Sequence, residues 1–191
     1  MSKEKNRNLL NLVLSAMFLA LGIVLPFLTG QIKEIGNMLL PMHIPVMLCG
    51  LVCGPQYGLI IGAVTPLLRS SLFGMPVMFP NAVGMAFELA TYGFVIGYLF
   101  KHAKWKCIKS LYRCLLISMV CGRAVWGIVQ CFLLGLGSNG FTMTAFISGA
   151  FLKAIPGIIL QLVLIPAVML ILGKTHLVHF NSKKNKTKTA K

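Results

Sequence analysis

Acid is what this chain has least of: 3 Asp+Glu stand against 18 Lys+Arg. Charge of either sign is scarce, at 11% of residues beside 57% hydrophobic ones. A soluble protein of 191 residues needs more charge than that to cover its surface, so lipid is the expected solvent. No Gly-x-x-x-x-Gly-Lys-Ser/Thr run occurs, and the chain is therefore not expected to hydrolyse ATP itself. No set of Cys and His has four-ligand metal spacing: Cys49 and Cys53 share one helical face at i, i+4, and no other pair joins them. No nucleophile and base are spaced for catalysis either. A cleavable signal peptide is not expected, because the first apolar stretch, from Leu9, is too long for one and lacks a clear small-residue cleavage site. No catalytic residue, metal or cofactor is expected.

The cations that are present cluster. Lys3, Lys5 and Arg7 precede the first apolar segment, and Lys101, Lys104, Lys106, Lys109 and Arg113 lie between the fourth and fifth. Lys174, Lys183, Lys184, Lys186, Lys188 and Lys191 follow the last. The alternate connections hold only Lys33. This positive-inside asymmetry places both termini in the cytosol and requires an even number of spans. A basic charge partitioned this way argues against nucleic acid as a partner and fits anionic lipid headgroups.

Hydropathy yields the same even number. Apolar segments run over 8–28, 41–53, 57–73, 81–100, 110–136 and 145–172. The second is short for a bilayer but is joined to the third by the Gly54-Pro55 turn, so the two form a tight helical hairpin. The expected fold is an all-α membrane protein: a six-transmembrane-helix bundle over 1–173, with a basic, disordered cytosolic tail over 174–191. The outer connections carry Gly, Pro, Asn and Met instead of Lys, and the first, TGQIKEIGNMLL, is apolar enough to fold back as a lid between helices 1 and 2. Phe73, Met75, Met78 and Phe79 put adaptable apolar groups near the outer mouth.

Against that background Arg69, Glu88, Arg123 and Lys153 stand out, since ionisable groups within apolar segments are costly and mark functional sites. Snorkelling to the headgroups is the alternative for those near helix ends. Three cations against one acid leave a surplus that a bound anion would neutralise. One arrangement pairs Glu88 with Arg123 or Lys153 and leaves Arg69 and another cation for the anion.

Helix 1 carries Ala16-Met17-Phe18-Leu19-Ala20, a small-xxx-small strip that permits close helix approach. Residues 36–74 read GNMLLPMHIPVMLCGLVCGPQYGLIIGAVTPLLRSSLFG. Together with the topology and the lid-like loop, these features resemble the substrate-binding S component of energy-coupling factor (ECF) vitamin transporters, over about residues 9–173. The resemblance implies a plasma-membrane transport subunit, not an enzyme. It would bind a micronutrient from outside and associate with a transmembrane T component and two cytosolic ATPases. Ala16 and Ala20 would touch the T component, and the loaded subunit would tip over in the bilayer.

The resemblance also implies a pocket in the outer half of the bundle, which sorts the polar residues by depth. Arg69, Asn81, Glu88, Arg123, Gln130, Lys153 and His43 become candidate substrate contacts, with Asn139 near the mouth. Arginine paired with a second cation would meet a carboxylate. Having only Trp105 and Trp126, the chain fits a small non-aromatic acid such as pantothenate better than folate, the next candidate. Two rival functions remain: a stand-alone proton-coupled carrier in which Glu88 titrates, and a membrane enzyme acting on lipids.

Overall fold

The computed structural model describes residues 2–29, 41–103, 107–135 and 155–174. Every regular element among them is helical. In chain order these are α1 (Ser2–Val24), a 3-10 turn (Leu25–Thr29), α2 (His43–Cys53) and α3 (Pro55–Phe73). A π-helical turn (Met78–Ala82) then leads into α4 (Val83–His102), followed by α5 (Ile108–Gly135) and α6 (Ile155–Lys174). The expected loop from residue 30 to 40, the tail beyond Lys174, and both Lys153 and Asn139 lie outside the described residues.

Local chemistry accounts for several boundaries. Gly54 adopts φ +105°, a conformation that side-chain-bearing residues rarely adopt, and its N–H closes α2 on the Gly50 carbonyl at 3.2 Å. Pro55 then opens α3 at a position where the missing N–H has no partner to lose. Gly74, in the left-handed region at φ +67°, ends α3 with its N–H on the Ser70 carbonyl.

Among the described residues, four stretches are long and apolar enough to cross a membrane: Lys5–Phe27, Met78–His102, Ile108–Leu134 and Ile155–Gly173. This is a multi-pass membrane protein. The other two helices differ in kind. At 11 residues α2 is only about 16 Å long, yet ten of its residues are buried. The 19 residues of α3 include Gln56, Gly58, Gly62, Thr65, Arg69 and Ser70, which dilute its apolar character.

The packing makes sense of that hairpin. Packed between α1, α3, α4 and α6, α2 leaves only Val52 of its residues partly exposed. Its partners come close because glycines line the crossing: a Cβ added to Gly93 of α4 would collide with the Gly58 carbonyl of α3, and one on Gly50 of α2 would collide with the Gly93 carbonyl. Where lipid supplies no hydrophobic drive between helices, such backbone-to-backbone approach supplies the attraction. Facing α1, Phe18 is buried, Ser15 Oγ accepts from Cys49 Sγ at 3.6 Å, and Gly22 lies against Thr65. The opposite face of α1, with Leu9, Val13, Ala16, Met17, Ala20 and Val24, is exposed.

Candidate substrate-binding site

The contacts fix the helix directions. Gly58 and Gly62 of α3 face Gly93 and Leu89 of α4, so these two run antiparallel. Gly84, Glu88 and Tyr92 of α4 meet Gln130, Arg123 and Gly122 of α5, again antiparallel. One end of the bundle therefore gathers the end of α3, the starts of α2 and α4, and the second half of α5. Most of the sequence-derived candidates that lie among the described residues converge there.

Glu88 is the hub of this end. Its Oε1 lies 3.0 Å from Arg123 Nη1 and accepts from the Tyr92 hydroxyl at 3.2 Å. His43 Nε2 is 3.6 Å from the same oxygen. Residual exposure is 2% for Glu88, 7% for Arg123 and 1% for His43, so these contacts are made away from solvent. Of the two pairings left open by the sequence, Glu88 with Arg123 is present. A carboxylate buried this deeply requires such a partner, since an isolated charge carries a large desolvation cost. The arrangement is held from behind: His43 packs edge-on to the Tyr92 ring at 5.2 Å. The residue next to Arg123 must be Gly122, because a Cβ there would lie 2.8 Å from that ring.

The partners run out before the polar atoms do. Among the described residues, Arg123 Nε and Nη2, both His43 ring nitrogens, Gln130 Oε1 and Gln161 Nε2 are buried without a hydrogen-bond partner. Buried polar groups in folded proteins are otherwise almost always paired, and each orphan costs about 1–3 kcal/mol. Gln130 is held against α4, where a Cβ on Gly84 would meet its Nε2 at 2.8 Å.

Arg69 occupies a different position. Its Nε donates to the Met75 carbonyl at 3.1 Å and its Nη1 to the Ile23 carbonyl at 2.9 Å. The guanidinium also sits 5.4 Å from the Phe27 ring centroid and 6.0 Å from that of Phe73, and those rings meet edge to face at 4.9 Å. It thus ties the exit of α1 to the segment after α3. Although Arg69 is only 4% exposed, no carboxylate among the described residues pairs with it. Asn81 is exposed in the π-helical turn that leads into α4. The rim beside it is apolar, with Phe73, Met75, Val77, Met78 and Phe79 all exposed.

Sequence reasoning missed Tyr92, Gln161 and the glycine crossing. Each left a trace: Tyr92 is four residues from Glu88 and so on its face, and Gln161 is the one amide within the apolar α6. Gly58-x-x-x-Gly62 and Gly93-x-x-x-Gly97 are small-residue strips as regular as the one in helix 1.

Neither the curated proteins nor the solved structures include a match to this chain. The family described as "ECF transporter, substrate-specific component" matches residues 10–169. That range holds α2 to α5 entire, the larger part of α1 and α6, and the whole buried cluster. The chain belongs to the family of substrate-specific components of ECF transporters.

Proposed function

We propose that this subunit binds a small organic anion, a vitamin or vitamin precursor, at the end of the bundle where Glu88 and Arg123 meet. The carrying observation is the charge balance there: Glu88 is matched by Arg123, while buried Arg69 has carbonyl partners but no acid among the described residues. The uncompensated positive charge favours an anionic ligand, and a dry site strengthens that attraction. Pantothenate fits best, since its carboxylate is accompanied by hydroxyl and amide groups that suit Gln130, Asn81 and His43. Folate, with its larger aromatic body and two carboxylates, comes second. Lys153 would add a further cation from the start of the sixth span.

In this reading the hairpin of α2 and α3 supplies the two crossings beyond the four long helices, both termini lie in the cytosol, and the loop over 29–40 covers the pocket. The domain covers 1–173, and the basic tail over 174–191 lies along anionic headgroups. A T component docks on the α1 face that bears Ala16 and Ala20, which the fold leaves outward and unpartnered. Two cytosolic ATPases drive uptake. Family membership favours this over a self-sufficient carrier or an enzyme acting on lipids.

Uptake of labelled pantothenate distinguishes the readings. Cells making this chain with a T component and both ATPases should accumulate the label, and cells making the chain alone should not. Accumulation by the chain alone would support the carrier.

A further inference from the structure

We infer that Arg123, through the side edge of its guanidinium formed by Nε and Nη2, is the group that binds the anion, and that the ligand presents a carboxylate or similar planar pair of oxygens. This rests on the proposed reading of the site and assigns its chemistry to particular atoms. Arg123 touches Glu88 through Nη1 alone. The remaining Nε and Nη2 carry two parallel N–H bonds, are buried, and have no partner among the described residues. Such an edge matches the two oxygens of a carboxylate, which a lysine ammonium cannot match. Arg69 lacks a free edge of this kind, because its Nε and Nη1 already donate to Met75 and Ile23.

Glu88 and Tyr92 serve the fork without touching the ligand. The carboxylate holds Nη1 at 3.0 Å, and the tyrosine hydroxyl holds the carboxylate at 3.2 Å. The planar group is thereby fixed with its other edge turned away from Glu88. Gln130 supplies the second constraint. It lies two turns along the same face of α5, about 10 Å by helix rise, and its unpartnered Oε1 accepts a hydrogen bond. The ligand therefore carries an acidic group at one end and an N–H or O–H donor within roughly that distance.

Native mass spectrometry of the full-length protein in lipid nanodiscs tests this with Arg123→Lys, Arg69→Lys and Gln130→Met, each first shown to be folded by a cooperative thermal melt. The probes are the species that co-purifies with the wild-type protein and added pantothenate. Wild type should carry an organic acid, Arg123→Lys should lose occupancy by roughly tenfold or more, and Arg69→Lys should keep it. Gln130→Met should weaken binding less than Arg123→Lys does. An acid held equally well by wild type and Arg123→Lys overturns the fork assignment but leaves the anion reading standing. A bound molecule without an acidic group, or no species bound and no response to pantothenate, overturns the anion reading and the assignment with it.

Discussion

Arg123 Nη1 lies 3.0 Å from Glu88 Oε1, joining α5 to α4 in the interior of the bundle. A pair this well shielded behaves asymmetrically on mutation. Removing Glu88 strands a buried cation, so Glu88→Ala should lower unfolding stability by about 3–5 kcal/mol. Replacing both partners with apolar residues of similar volume, Glu88→Leu with Arg123→Met, removes the desolvation cost along with the attraction. That double variant should be about as stable as wild type, yet unable to bind an acid. Chemical unfolding in mixed micelles with ligand titration on the same samples checks both parts.

The glycine crossing is less forgiving. A Cβ on Gly93 would strike the Gly58 backbone, which cannot rotate aside as a side chain can. Gly93→Ala should therefore cost about 3 kcal/mol, at the upper end for overpacking, and Gly93→Leu should prevent folding. Yield of monodisperse protein and its melting temperature report this.

Arg69 is expected to act on the rim more than on the ligand. Arg69→Ala removes two hydrogen bonds from a charged donor, so a loss of about 3 kcal/mol in stability is expected. Arg69→Lys should recover only part, because one ammonium cannot span the Ile23 and Met75 carbonyls as the guanidinium does. Thermal melts of the three proteins without ligand, beside their affinities, separate stability from binding.

Ala16 and Ala20 lie on the face of α1 opposite the one that packs on α2 and α3. Ala16→Trp should abolish uptake by the assembled transporter while leaving the isolated subunit's affinity within about twofold. Loss of binding in a folded Ala16→Trp protein would place the alanines in the ligand site instead.

Much of this molecule could be read from its sequence. Apolar runs bounded by Gly54-Pro55 and Gly74 predict α2 and α3 to within two residues, because those breakers act locally, whereas α1 begins at Ser2, six residues ahead of its apolar run. The meeting of Glu88 with Arg123 was open to reading as one of two pairings, since burial compels an acid to find a cation. Arg69 was harder. Its backbone partners come from Ile23 and Met75, and the carbonyls that a folded chain leaves open for donation depend on where α1 ends relative to α3. The 11-residue α2 likewise reads as a weak span in isolation, and only its four helical neighbours explain how it is buried.

The central claim is that this substrate-specific component carries a small organic anion. It is tested most directly by gently purifying the full-length protein, releasing what is bound, and identifying the released molecules by mass spectrometry against a mock purification. The account predicts a near-stoichiometric vitamin-sized molecule with an acidic group, pantothenate foremost. Enrichment of a neutral or cationic molecule instead would contradict it.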